Sequence, residues 1–218
     1  MYFAIIGDIV GSRKVSDRAE LQKKLREILD DINSKYESDI ASKFVITLGD
    51  EFQGLLLRPD NIIEMLNIIK IKAYPVRIRF GIGIGLITTE INPHMAIGMD
   101  GPALHNARRM IDEIKQNEKG KMSDSTDTRI CEGDADSIEV RLINSNLALC
   151  SFIELKWSNK QRELIAEALL TGLSQREIAA RLKIAQSSIQ RRFKSAGYYD
   201  YCNAQKVIKD VLIKKWGQ

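Results

Sequence analysis

The first 90 residues of the chain alternate between two hydrophobic patterns. One consists of short apolar runs, typical of buried strands, at 2–7, 43–48, 52–57 and 76–87. The other has apolar residues at helical spacing. It predicts one helix starting near Asp17 and a second over 62–73, which Pro75 ends. The resulting order, β-α-β-β-α-β, predicts an α+β fold with a ferredoxin-like core.

The middle of the chain predicts a helix over 102–116, an edge strand over 128–131 and a connecting helix over 137–157. Further helices follow, at 158–170, 177–182, 186–196 and 199–216. Ser158 and Ser174 each precede a Gln or Glu three residues on, which is the capping-box pattern of a helix start. We therefore predict a palm domain over 1–135, a linker helix over 136–157 and an all-α helix-turn-helix domain over 158–218.

The segment 174–193 has the pattern of a DNA-binding helix-turn-helix. Ala179 is small where two short helices must cross, and a shared core is expected from Ile178, Leu182, Ile184, Ile189 and Phe193. The second helix is expected to present polar and basic side chains to a major groove: Gln186, Ser187, Ser188, Gln190, Arg191, Arg192 and Lys194. Lys183 stands where the turn usually has glycine. The alternative is a helical hairpin used only for protein packing.

Charge is distributed unevenly along the chain. Residues 158–218 carry 12 Lys and Arg against 5 Asp and Glu, whereas the whole chain has a net charge of +4. A basic C-terminal segment favours an anionic partner such as double-stranded DNA. The apolar runs are too short for a membrane span and the N-terminus lacks the basic start of a signal peptide, so we expect a cytoplasmic protein without a membrane partner.

Two aspartates are expected to meet at one edge of the predicted sheet. Asp8 follows the first strand, and Asp50 lies in the turn between the second and third strands. Because each helical crossover makes its two strands parallel, both positions fall at the same edge. Neighbouring carboxylates repel unless a cation lies between them, and hard oxygen ligands suit Mg²⁺ with its nucleotide phosphates. The alternative is that Asp8 caps a loop and Asp50 fills a turn position.

These N-terminal motifs resemble those of class III nucleotide cyclases and diguanylate cyclases. The matching stretches are 8–11 (Asp-Ile-Val-Gly), 49–52 (Gly-Asp-Glu-Phe) and the glycine-rich strand 80–85, followed by a helix with Gly101 and Arg109. The resemblance implies a metal site at Asp8, Ile9 and Asp50. It implies a nucleotide site made of Gly11, Ser12, Arg13, Glu51, His105 and Arg109.

Two departures from the cyclase pattern bear on turnover. Ile46 stands where cyclases have the lysine that reads the base, and His105 stands where they have an asparagine. Both favour ligand binding over catalysis.

Nearly the whole chain resembles the SatD family of bacteria. The resemblance rests on 6–13, on 44–55 (Phe-Val-Ile-Thr-Leu-Gly-Asp-Glu-Phe-Gln-Gly-Leu), on 101–103 and on the C-terminal helix-turn-helix. The resemblance implies a bacterial cytoplasmic protein with a DNA-binding end, and it implies no particular reaction.

Three hypotheses follow from these patterns. The first is a DNA-binding regulator whose palm domain binds a metal–nucleotide or related ligand. The second is a divergent nucleotide cyclase or nucleotidyltransferase with a regulatory helix-turn-helix, and the third is a protein-interaction module. A homodimer is expected because cyclase palms place their aspartates and their arginine on different protomers, and because palindromic DNA sites need a two-fold partner.

Overall fold

The computed structural model describes residues 1–12, 17–120, 126–133 and 137–217, apart from the side chain of Leu48. Over these ranges the chain is an α+β protein with a five-stranded mixed sheet and eight α-helices. The strands are β1 (Tyr2–Ile9), β2 (Ile40–Leu48), β3 (Glu51–Leu56), β4 (Ile78–Gly85) and β5 (Thr128–Glu132). The helices are α1 (Arg18–Lys35), α2 (Ile62–Ala73), α3 (Pro102–Lys119), α4 (Ile138–Leu155), α5 (Asn159–Thr171), α6 (Gln175–Leu182), α7 (Gln186–Ser195) and α8 (Tyr198–Trp216).

The strands lie in the order β2-β3-β1-β4-β5. β1 is central and antiparallel to both of its neighbours, whereas β5 joins the edge parallel to β4. Successive side chains of β1 point to opposite faces, so Phe3 and Ile5 enter the larger core and Ala4 and Ile6 enter the smaller one.

The two faces of the sheet are covered differently. The larger core packs against α1, α2, α4 and α8, and the smaller one lies under α3. Helix α3 approaches β4 closely because the strand has glycines there: a Cβ on Gly81 or Gly83 would overlap the backbone carbonyl of Ala107 or Ala103. This close contact fixes the position of α3 beside the end of β1.

The helix starts follow the local sequence signals. Asp17 Oδ1 accepts the N–H of Glu20 at 2.8 Å, and both Ser158 and Ser174 form complete capping boxes. Helices α5, α6 and α7 enclose a core of their own, made of Leu164, Ile165, Ile178, Ala179, Ile189, Phe193 and Ala196. Leu182, expected in that core, is the last residue of α6 and is instead 43% exposed.

The terminal helix α8 packs back onto the sheet domain. Its residues Ile208, Leu212 and Trp216 belong to the larger core, beside residues of α4 such as Val140 and Ile143. The apolar face of α8 is thus used within its own chain, and Leu212 is not available to seal a dimer. The boundary predicted between 157 and 158 stays a prediction. No helix in the described part of the chain is long and apolar enough to cross a membrane.

Candidate functional site: the carboxylate edge and the outer face of α7

The end of β1 and the β2–β3 turn lie side by side, as their positions in the predicted topology require. The N–H of Ile9 donates to the carbonyl of Asp50 at 2.9 Å, and Asp8 pairs with Glu51 across the two strands. Cross-strand partners point to the same face, so the carboxylates of Asp8 and Glu51 both lie under α3. The topology therefore brings together an acidic pair that the sequence spreads over 43 positions.

Asp8 is buried, and two basic side chains already hold its carboxylate. Oδ2 lies 2.6 Å from a guanidinium nitrogen of Arg79 on β4, and Oδ1 lies 2.7 Å from Nζ of Lys115 on α3. Burial opposes the charge of Arg79, but hydrogen bonds to Glu118 and Asp8 outweigh burial and raise its pKa. Asp8 is thus the centre of an ion-pair network.

The other two acidic residues at this edge are also engaged. Glu51, which is buried, accepts both guanidinium nitrogens of Arg108 in a two-pronged contact, and this hydrogen bonding raises the pKa of Arg108. Asp50 Oδ2 accepts the hydroxyl of Ser12, which is itself buried. The three acids at this edge are therefore satisfied by protein side chains.

This arrangement does not fit Mg²⁺. A divalent ion needs several oxygen ligands at short range, and binding one here would first require Asp8 to release Arg79 and Lys115. Within the described ranges, no three His, Cys, Asp or Glu side chains are grouped as a metal set.

The remaining residues of the predicted nucleotide site do not converge on these carboxylates. His105 is 68% exposed at its side chain and contacts Asp100, with Nε2 2.6 Å from Oδ1. Arg109 turns toward the β5 side, where it contacts Cys131 and the carbonyl of Gly133. Gly11 has a positive φ of 70° and is exposed, and Arg13 lies outside the described residues. Within its own chain Arg109 thus contacts neither Asp8 nor Asp50 among the described contacts, and its pairing with them across a dimer stays a prediction.

Sequence reasoning missed the basic residues that complete this site. Arg108 meets the carboxylates and Arg109 does not, because consecutive residues of a helix point about 100° apart. Lys115 lies two turns further along the same face of α3. A signal was present: Arg108 and Lys115 are seven residues apart, the spacing of one helix face.

The second candidate site is the outer face of α7. Lys183 ends α6 in the left-handed region with φ 53°, so it adopts the backbone conformation that the turn requires without being glycine. Five of the predicted DNA-binding residues are exposed, and Ser188 and Arg192 are half-buried at the flanks; the exposed ones are Gln186, Ser187, Gln190, Arg191 and Lys194.

Ala185, the N-cap of α7, offers no side chain to the first backbone N–H groups of the helix. Trp157 anchors the other end of α7, since its indole N–H donates to the carbonyl of Ala196 at 2.8 Å. The ring of Tyr198 stacks on Phe193 with centroids 4.1 Å apart, which fixes α7 against the start of α8. The outer face of α7 is thus held on a packed support.

The solved structures similar to this chain include two distant neighbours. A bacterial light-regulated adenylyl cyclase is 16% identical and has a TM-score of 0.40, with 59% of this chain and 74% of that chain covered. A regulator of polyketide synthase expression from Bifidobacterium adolescentis is 12% identical and has a TM-score of 0.25, with 99% of this chain and 86% of that chain covered. A comparison with curated protein sequences gives no match.

A family model matches nearly the whole chain. It matches residues 2–212, which include the strand ends at Asp8 and Asp50, helices α5 to α7 and most of α8. The chain belongs to the SatD family.

Proposed function

We propose that this protein is a DNA-binding regulator and that α7 enters the major groove. The observation that carries the proposal is the outer face of α7, where the polar and basic side chains have no intrachain partner among the residues that the structure describes. Elsewhere in the molecule many basic side chains are paired, such as Arg79, Arg108 and Lys115. Unpaired donors grouped on one exposed helix fit base edges and phosphates.

The geometry around α7 supports the same proposal. The uncapped N-terminus of α7 leaves backbone N–H groups that can meet a phosphate. Gln190 and Arg191 lie one turn further on, where side chains of a groove-bound helix reach base edges or the opposite strand.

The test is binding of the full chain to a random-sequence duplex DNA library, measured by fluorescence anisotropy over a series of salt concentrations. We expect affinity to fall steeply as salt rises. Arg191→Ala should weaken binding and reduce the salt slope by about one if it contacts a phosphate. Arg26→Ala is the matched control, because Arg26 is an exposed arginine of α1 outside this module. Equal binding by both variants would place the DNA site elsewhere, and absence of binding at low salt would refute the proposal.

We infer that the sheet domain is a ferredoxin-like palm of the cyclase type, adapted to support regulation. Its strand order and the position of Asp8 beside the β2–β3 turn favour the palm. The closed ion pairs of Asp8, together with Ile46 and His105, argue against turnover. A nucleotide-type ligand remains part of the proposal, whereas magnesium does not.

We also propose that the functional form is a homodimer, with a second copy of the chain packed on the outer face of α4. Four large apolar side chains lie exposed there, between 47% and 60%: Ile138, Leu142, Leu149 and Phe152. Ser145 lies at the middle of this stripe, so two antiparallel copies of α4 can approach closely around it. Light scattering tests this: Leu149→Glu should convert a dimer to a monomer, and a wild-type mass near 24.7 kDa would refute it.

A further inference from the structure

A cavity of about 380 Å³ lies where the sheet domain meets helix α5, away from both sites described above. Residues of α2, α4, α5 and α8 line it, and its volume falls within the range of small-molecule pockets. The proposed function assigns no role to this cavity.

Aromatic rings are prominent among the residues that line the cavity. Tyr74, Trp157 and Tyr201 contribute aromatic rings, and the centroids of Trp157 and Tyr201 lie 4.9 Å apart. The guanidinium of Arg162 lies 5.0 Å from the ring centroid of Tyr74 and 5.7 Å from that of Trp157. Aromatic rings and a guanidinium plane are the surfaces on which a flat heteroaromatic ring stacks.

Lys70 and Glu154 form the part of the lining that we term the floor, and Asp127, the other partner of Lys70, lies outside the lining. Lys70 lies 2.7 Å from Asp127 and 3.4 Å from Glu154, so one ammonium group faces two carboxylates. Tyr201 donates its hydroxyl to Glu154 at 2.7 Å. A carboxylate has about four acceptor positions, so Glu154 keeps positions for further donors.

Asn159, at the rim of the cavity, supplies hydrogen-bond donors, whereas Glu154 supplies acceptors. Asn159 accepts the hydroxyl of Tyr74 through Oδ1 at 3.0 Å, and its amide N–H groups have no partner in the described part of the chain. A ligand that stacks on the aromatic rings therefore meets acceptors at the floor and donors at the rim. A ring with an exocyclic amine and ring nitrogens has both complementary features.

We propose that this cavity binds a nucleobase that carries an amino group, as a free base or nucleoside, with the ring stacked on Trp157 and Tyr74 and the amine donating to Glu154. The ligand needs no metal and none of the residues at the carboxylate edge. Trp157 also anchors the end of α7 through Ala196, so a ligand in this cavity contacts the ring that holds that helix.

Isothermal titration calorimetry of the full wild-type chain with cytidine, adenosine, guanosine and uridine tests the ligand class. Cytidine and uridine form a matched pair, because uridine has an oxygen where cytidine has the amine. We expect at least one amino-bearing nucleoside to bind about tenfold more tightly than uridine, the difference expected when a buried acceptor gains a donor in one case and meets an oxygen in the other. Absence of binding by all four at millimolar concentration, or binding of uridine as tight as the best of the others, overturns the proposal.

Variants test the location. Asn159→Ala, at an exposed position, should weaken the best nucleoside about tenfold, as should Glu154→Gln, whereas Asn203→Ala on the exposed side of α8 should leave binding unchanged. Trp216→Phe leaves Trp157 as the sole tryptophan, and nucleoside should quench its fluorescence.

Because Glu154→Gln can impair folding, Asn159→Ala and the quenching decide the result. Unchanged affinity in Asn159→Ala together with unchanged Trp157 emission overturns the assignment. Neither measurement involves DNA, so failure here leaves the α7 proposal standing.

Discussion

The hydroxyl of Tyr201 donates a hydrogen bond to Glu154 at 2.7 Å, which joins α8 to the end of α4. Tyr201 is 2% exposed and the side chain of Glu154 is 13% exposed, so most of this contact is withdrawn from solvent. We expect Tyr201→Phe to lower the free energy of unfolding by about 2 kcal/mol, because a buried carboxylate loses a donor. Urea denaturation measures the change. Tyr199→Phe is the control, since its ring is 45% exposed, and a loss of the same size in both variants would contradict the assignment.

Glu154 should make the folded state less stable as pH rises, whereas a carboxylate in an ion pair ordinarily makes it more stable. Burial raises its pKa above the ordinary value of 4.5, although Lys70 acts in the opposite direction. A carboxyl that holds its proton more tightly in the folded state stabilises that state at low pH, and this contribution is lost as pH rises through the raised pKa. We therefore expect wild type to lose stability relative to Glu154→Gln as pH rises above 4.5.

The measurement is the urea unfolding free energy of wild type and Glu154→Gln at a series of pH values. Lys70, Asp127, Cys150 and Tyr201 face this carboxyl, and all four remain in the variant. The pKa of Asp127 is lowered from 3.8 because the charge of Lys70 outweighs burial, so its contribution changes with pH below the range in which the two proteins are compared. A stability difference that does not change with pH would refute the raised pKa.

Helices α5 and α6 both end at a residue in the left-handed conformation, but only one of these two residues is glycine. Gly172 ends α5 at φ 66°, and Lys183 ends α6 at φ 53°. A side chain in this region costs about 1 kcal/mol relative to glycine. We expect Lys183→Gly to raise the thermal midpoint and Gly172→Ala to lower it. The same direction of change in both variants would show that the cap conformation does not control stability here.

The ion pairs of Asp8 should stabilise the fold and should exclude magnesium. Asp8→Asn leaves Arg79 and Lys115 without this partner, and we expect a loss of about 3 kcal/mol, since removing one member of a buried pair leaves uncompensated charge. Asp30→Asn, at an exposed position of α1, is the control.

The same pairs predict that millimolar Mg²⁺ leaves the Tm of the wild type unchanged. Binding to the folded state alone would raise Tm by an amount that grows with the logarithm of the ratio of Mg²⁺ concentration to its Kd. A rise in wild type that Asp8→Asn abolishes would restore the metal site and contradict the closed network.

The sequence by itself determined the local elements. Periodicity placed α2 at its observed bounds, and the capping boxes at Ser158 and Ser174 marked the starts of α5 and α6. These features depend on residues within one or two helical turns of each other, so a short stretch of sequence is enough to recognise them. The topology of alternating strands and helices also placed Asp8 beside Asp50.

Only the tertiary structure decided which charges meet. The choice of Arg108 over Arg109 depends on how far α3 is rotated against β4, and glycine contacts of the strand set that rotation. Lys70 meets Asp127 and Glu154, which lie 57 and 84 residues further along the chain, only because α2, β5 and α4 pack together. Side-chain pairing and cavities depend on the distances between packed elements, and no periodic pattern within a single element contains that information.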